Sequence, residues 1–162
     1  MHKVILLIGG NEGQRIENIQ EVKNKIDTQI GSIIQESSLY ESEPWGFEHH
    51  QNFINQVLEV STQLSPSEVL QRGQSIEKEL GRRPKKKLTY EARTMDIDIL
   101  FYDDVRQEAV ALTIPHPKLQ ERLFTLLPLN EKWGKYTHPV LNKTIEQLLD
   151  ECDDVGWVKK II

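Results

Sequence analysis

The sequence predicts an α+β domain in which helices pack on an antiparallel sheet. Three observations support this class. The 162 residues match the length of one domain, four segments have the apolar patterns of strands while two have the spacing of amphipathic helices, and these segments follow the order β-α-β-β-α-β. We therefore expect one domain over residues 1–162, too short to include a fused second domain.

The chain opens with a predicted strand and a predicted helix. Val4–Ile8 is a continuous apolar run followed by Gly9-Gly10, which predicts a buried strand that ends at the glycines. Apolar residues then recur at near-helical spacing from Ile16 to Ile30, and Gly31 follows them. This pattern predicts an amphipathic helix that Gly31 ends.

Two further strands are predicted before the second helix. Residues 32–40 are rich in strand-favouring side chains, and Glu43-Pro44-Trp45-Gly46 then interrupts the pattern and predicts a loop. Residues 53–62 alternate in the manner of another strand. Phe53 and Asn55 therefore share one face of that strand.

A second helix and a fourth strand complete the pattern. Ser65-Pro66-Ser67-Glu68 is a capping box with proline at the first helical position, and Gly81 predicts the end of the helix. Residues 96–102 alternate, so the two aspartates of this segment share one face and Phe101 lies on the other.

The order of these elements is that of ferredoxin-like sheets, in which the helices stack on one face. The rest of the chain is expected to add to this core. We predict a short helix near residues 119–122, another near 144–151 and a last strand near 157–161.

Composition excludes several classes of protein. Hydrophobic residues make up 38% of the chain and charged residues 28%, too apolar for a disordered chain and too polar for a membrane protein. The net charge of −5 would repel nucleic acid. Cys152 is the only cysteine, so no intramolecular disulfide can form. We expect a cytoplasmic monomer that binds neither nucleic acid nor membranes.

Asp96 and Asp98 are candidate ligands of a hard cation. Two residues apart on a strand, their carboxylates leave the same face about 6 to 7 Å apart. Magnesium takes oxygen ligands and keeps waters and substrate phosphates in its shell, so two carboxylates suffice when a nucleotide supplies the rest. The same motif also occurs on wet strand faces, so its surroundings must decide.

Cations lie close to this acidic pair in the sequence. Arg82, Arg83 and Lys85–Lys87 form a basic segment, and Arg93 stands three residues before Asp96. Cations beside a metal-binding pair suit a substrate whose phosphates are neutralised from several sides. The aromatic residues and amide of 43–55 suit a flat heterocycle, although they also fit an ordinary core.

These segments together resemble the 6-hydroxymethyl-7,8-dihydropterin pyrophosphokinases of folate biosynthesis. The matching motifs are Gly9-Gly10-Asn11, Glu43-Pro44-Trp45-Gly46, Phe53-Ile54-Asn55, Arg93-Thr94-Met95-Asp96-Ile97-Asp98-Ile99 and Pro115-His116-Pro117. The resemblance covers nearly the whole chain. It implies a ferredoxin-like fold and diphosphoryl transfer from ATP to the pterin hydroxymethyl oxygen, with release of AMP.

The resemblance also implies a role for each matching residue. Asp96 and Asp98 would bind two Mg²⁺ ions on the triphosphate, and Arg93 with one of Arg82 or Arg83 would stabilise the transition state. The implied nucleotide contacts are Glu77, Lys85, Thr113, His116 and Arg122. The implied pterin contacts are Ser42, Trp45, Phe53, Asn55 and Phe124.

The chain departs from the family pattern before the acidic pair. Thr89-Tyr90-Glu91-Ala92-Arg93 stands where the family commonly has Arg-Trp-Gly-Pro-Arg. Lys85–Lys87 replace part of the charge but lack the planar fork of arginine. Three alternatives remain open: an RNA-binding module, a metal-dependent phosphohydrolase, and a homologue that binds nucleotide without catalysis.

Overall fold

The computed structural model describes residues 1–44, 51–81 and 95–162. The predicted site residues Trp45, Arg82, Arg83, Lys85 and Arg93 lie outside these ranges. The strands are β1 (His2–Gly10), β2 (Gly31–Glu36), β3 (Tyr40–Ser42), β4 (Phe53–Thr62), β5 (Asp96–Tyr102) and β6 (Val158–Lys160), and the α-helices are α1 (Arg15–Gln29), α2 (Pro66–Glu79), α3 (Leu123–Trp133) and α4 (Ile145–Glu151). The short helix predicted near 119–122 is a 3₁₀ turn, Leu119–Glu121.

The strands form one antiparallel sheet in the order β5-β1-β4-β3-β6, and β2 pairs with β4 beside β3. The element order predicted from the sequence is therefore correct. The single strand predicted over 32–40 is wrong, because it is divided into β2 and β3. At the break, Ser37 N donates to Val57 O and Ser37 Oγ accepts from Val57 N, so the side chain replaces a regular strand contact.

Helices cover both faces of the sheet. Ile19, Val22 and Ile26 of α1 pack with α2 on one face, and α3 and α4 pack on the other. The two helices predicted for the core, α1 and α2, share one face as predicted. The helix α3, which covers the other face together with α4, was not predicted from the sequence.

The two ends of α2 agree with the sequence. Ser65 and Glu68 form the reciprocal capping box, and Gly81 follows the helix with a positive φ of 91°. Gly31 does not end α1 as predicted, since α1 ends at Gln29 and Gly31 begins β2. A Cβ at Gly31 would lie 2.9 Å from the carbonyl carbon of Ser61, so this glycine permits close strand pairing.

A β-bulge changes the face of Phe101. The pairing of β1 with β5 shifts between Ile5 and Leu6, so Ile5 opposes Phe101 while Leu6 opposes Ile99. Phe101 consequently packs against α3 and α4, whereas Ile99 packs against α1 and α2. The strict alternation predicted for this strand fails here because a bulge adds one residue to one strand of the pair.

None of the helices in the described residues has the length and apolar character that crossing a membrane requires.

Candidate active site

A pocket opens at one end of the sheet, on the face that α3 and α4 cover. Ten of the described residues line it: Leu7, Gly9, Ser42, Glu43, Phe53, Asn55, Asp96, Asp98, Arg122 and Phe124. The pocket thus brings together six residues that the sequence analysis assigned to metal or pterin, together with Arg122 of the nucleotide set.

Strand register explains the shape of this pocket. On the central strand β1, Gly9 opposes Asn55 of β4 on one side and Asp96 of β5 on the other. Opposing residues of paired strands point to the same face. Because Gly9 has no side chain, the amide of Asn55 can lie directly over it, and Leu7 continues the floor.

The acidic side of the pocket is formed by β5. Asp96 and Asp98 both line the pocket and are partly exposed, so they share a face as predicted. Between them, Ile97 N donates to Glu77 Oε2 at 2.8 Å. In the sheet that the described residues form, β5 is an edge strand, so alternate amides lack a strand partner there. The buried Glu77 of α2 accepts one of them.

The opposite side of the pocket is aromatic and amide-lined. Phe53 and Asn55 of β4 lie beside Ser42 of β3, and Phe124 comes from the first turn of α3. Asn55 is 6% exposed, and its Nδ2 donates to Ser42 Oγ at 3.5 Å. The arrangement suits a planar ring with a polar edge.

Arg122 supplies a cation at the mouth of the pocket. It precedes α3, and its guanidinium lies 5.6 Å from the centroid of the Phe124 ring, within the range of a cation–π contact. The same helix start therefore places a cation and an aromatic ring side by side. An anionic substrate with a ring could contact both.

Thr113 and His116 line a neighbouring depression rather than this pocket. The Nδ1 of His116 accepts from Lys118 N at 3.1 Å, which assigns the proton of the neutral ring to Nε2. Burial, and secondly the charge of Arg122, lowers the pKa of His116 to about 4. At neutral pH this imidazole is therefore an uncharged donor.

We expect this pKa to make stability fall in mildly acidic solution. An unfolded histidine titrates near 6.5, so between about pH 6.5 and 4 the unfolded chain binds the proton more readily than the folded chain. The contribution of His116 to stability is then present above this interval and lost as pH falls through it. Urea unfolding of the wild type and of His116→Gln from pH 7.5 to 4 measures it. If the free energy of unfolding changed with pH in the same way in both proteins, the lowered pKa assigned to His116 would be wrong.

Gly9 is the main pocket residue that sequence reasoning missed. Gly9-Gly10 was predicted to end the first strand, but β1 extends through Gly10. A Cβ at Gly9 would lie 2.7 Å from Ile54 O and closer still to Asn55 Oδ1. A glycine after an apolar strand pattern also indicates close backbone approach, so the sequence did contain a signal for this role of Gly9.

Comparison with known proteins identifies the family. Residues 5–133 match the family described as 7,8-dihydro-6-hydroxymethylpterin-pyrophosphokinase (HPPK). The chain belongs to the HPPK family. The 2-amino-4-hydroxy-6-hydroxymethyldihydropteridine pyrophosphokinase of Aquifex aeolicus is 38% identical over 151 residues, which are 93% of this chain and 92% of that protein. The enzyme of the same name from Bacillus subtilis is 35% identical over 78% of this chain and 75% of its own length.

Longer HPPK proteins also match. The folic acid synthesis protein fol1 of Schizosaccharomyces pombe is 36% identical over 93% of this chain, which spans 20% of fol1. Wild-type HPPK-DHPS of Plasmodium falciparum, solved with SDX-DHP, has a TM-score of 0.74 at 20% identity and covers 93% of this chain, which spans 43% of that one. At this identity the likeness concerns the fold. The α+β fold, family and enzyme class predicted from the sequence are therefore confirmed.

Proposed function

We propose that this HPPK-family chain transfers a diphosphoryl group from ATP to the hydroxymethyl oxygen of 6-hydroxymethyl-7,8-dihydropterin and releases AMP. One observation carries the proposal. A single pocket has two carboxylates on one side and an amide with aromatic rings on the other, with Gly9 between them. This pocket can hold the phosphates and the ring of two substrates next to each other, which is what group transfer between them requires.

We propose that Asp96 and Asp98 bind Mg²⁺, two ions with ATP present. Among the described residues no group of three or more His, Cys, Asp or Glu is arranged for a metal, so this part of the protein would supply two carboxylates. That donor set suits magnesium, which prefers oxygen and shares its shell with waters and phosphates. When bound, the metal would offset phosphate charge and orient the triphosphate.

The pterin would occupy the aromatic side. Asn55 can donate to and accept from the polar edge of the ring, while Phe53 and Phe124 contact its faces and Ser42 holds the amide of Asn55 in place. Because Asn55 is nearly fully buried, a substrate that does not match its amide would leave a buried polar group unpaired. Such mismatches are costly, which supports selectivity for the pterin edge. Trp45 is proposed as a further ring contact.

The remaining assignments are proposed from the family resemblance and the charge of the groups. Arg93 and one of Arg82 or Arg83 would stabilise charge on the transferred phosphoryl groups, as guanidinium ions do for phosphates. The proposed nucleotide contacts are Glu77, Lys85, Thr113, His116 and Arg122. The hydrogen bond from Ile97 N to Glu77 supports a second role for Glu77, which is to hold β5 in place.

We also propose that residues 1–162 act as one domain and as a monomer. ATP as co-substrate favours a cytoplasmic location.

We expect purified protein to form AMP only when ATP, Mg²⁺ and the hydroxymethyl dihydropterin are all present. Product analysis by ion-exchange chromatography measures AMP and the pterin diphosphate together. The matched control replaces the substrate with 6-methyl-7,8-dihydropterin, which lacks the attacking hydroxyl. AMP formed without pterin, or with the methyl compound, would instead indicate a phosphohydrolase. No AMP with all three components would indicate a homologue without catalysis.

A further inference from the structure

Arg15 joins the two strands that border the aromatic side of the pocket. Its Nη1 donates to Glu41 Oε2 at 3.0 Å and to the backbone oxygen of Asn52 at 2.8 Å. Glu41 precedes Ser42 on β3, and Asn52 precedes Phe53 on β4. One guanidinium nitrogen therefore ties together the pocket ends of both strands.

Arg15 makes these contacts without lining the pocket. Successive residues of a strand point to opposite faces, so Glu41 of β3 projects away from the face to which Ser42 contributes. Arg15 begins α1, which covers the face of the sheet opposite the pocket. Neither Arg15 nor Glu41 is among the residues that line the pocket in the described chain.

The tie acts at the pocket end of a short strand. β3 has three residues and pairs with β4 on one side and β6 on the other, and Ser42 is its last residue. The bond from Asn55 Nδ2 to Ser42 Oγ is 3.5 Å long, at the limit for a hydrogen bond. A shift of Ser42 by a few tenths of an ångström would break it and release the amide of Asn55.

The position of Arg15 on its helix also indicates a tertiary role. A cation in the first turn is disfavoured by the helix dipole, and Arg15 is the first residue of α1. The side chains of Arg15 and Glu41 are each 25% exposed, so their attraction is screened less than that of a fully exposed pair.

We propose that Arg15 is a positioning residue for pterin recognition. By tying Glu41 to Asn52 from the opposite face of the sheet, it holds Ser42 and Phe53 in register and thereby orients the Asn55 amide. This inference rests on the proposed function, since it assigns the aromatic side of the pocket to the pterin. It implies an effect on pterin binding that is separate from nucleotide binding.

The test compares Arg15→Met with Lys25→Met. Lys25 is a matched control, because it lies on the same helix, is 27% exposed and forms an ion pair of 2.7 Å with Glu79 of α2. Neither residue of this pair is among those that line the pocket in the described chain. Calorimetry measures the Kd of a non-hydrolysable ATP analogue with Mg²⁺, and then the Kd of the pterin with that analogue bound. Urea unfolding measures the stability of each variant.

For Arg15→Met we expect the pterin Kd to rise about tenfold, in line with the loss of hydrogen bonds to a charged group. The Kd of the ATP analogue should stay within about twofold, and Lys25→Met should change neither constant. Glu41→Gln should have a smaller effect on the pterin, since the bond to Asn52 remains.

An unchanged pterin Kd in Arg15→Met, or equal weakening of both ligands, would overturn this inference, because a purely structural role moves both constants or neither. Failure of the wild type to bind the pterin would overturn the proposed function, and this inference with it. The wild-type titration therefore separates the two failures.

Discussion

Asp96→Ala and Asp98→Ala are each expected to reduce kcat by at least about 10³-fold while the protein stays folded. Metal-assisted charge stabilisation contributes several kcal/mol to a transition state, and each 1.36 kcal/mol corresponds to about tenfold in rate. Both side chains are partly exposed on an edge strand, so their removal leaves no cavity in the core. The measurement is AMP formation at saturating ATP, Mg²⁺ and pterin.

Asp104→Ala is the matched control for these two variants. Asp104 is an exposed carboxylate two residues beyond the end of β5 and outside the pocket, so its removal should leave kcat unchanged. Thermal unfolding of all three variants tests whether the loss of activity has a structural cause. If Asp96→Ala or Asp98→Ala kept a near-normal rate, the metal-binding role assigned to that residue would be wrong.

Gly9→Ala is expected to raise the pterin Kd by about 10- to 100-fold. The added Cβ would lie 2.7 Å from Ile54 O and closer to Asn55 Oδ1, so the amide must leave its place beside Ser42. Overpacking of this kind costs about 1–3 kcal/mol, and each 1.4 kcal/mol is tenfold in Kd. Calorimetry with the pterin measures the effect, and urea unfolding measures the accompanying loss of stability.

Gly73→Ala is the control for adding a methyl group. A Cβ at Gly73 would lie 3.5 Å from Ile97 Cγ2, an ordinary contact, and alanine favours a helix interior over glycine by about 1 kcal/mol. Gly73→Ala should be at least as stable as the wild type and should bind the pterin with an unchanged Kd. In a double-mutant cycle, Gly9→Ala and Asn55→Ala should be strongly non-additive. Additive effects would contradict a direct contact between the two positions.

Local sequence signals predicted the elements whose cause is itself local. The capping box at Ser65 and Glu68 and the end of the helix before Gly81 depend on residues within one turn, and both form as predicted. The β-bulge next to Leu6 and the break of the strand at Ser37 depend instead on pairing with distant strands. Neither has a signature within its own segment.

The features of the candidate site also divide into those with a local cause and those that depend on distant strands. The types of side chain in the site could be predicted from the sequence. Residues alternate between the two faces of a strand, so the spacing of the two carboxylates places them on one face, and the spacing of the aromatic residue and the amide does the same on another strand. Their adjacency was visible only through resemblance to a family. In the structure it results from register, which places Gly9 of β1 between Asp96 and Asn55, residues that are 41 positions apart in the chain.

For this HPPK-family protein, the sequence was sufficient for the order of elements, the reaction class and the residue types of the site. The tertiary structure alone decided that helices cover both faces, that Gly9 is the floor of the pocket, and that Arg15 ties β3 to β4. The reason is physical. Propensity and periodicity act within a segment, whereas a close approach such as that of Gly9 to Asn55 exists only after distant strands have paired in one register.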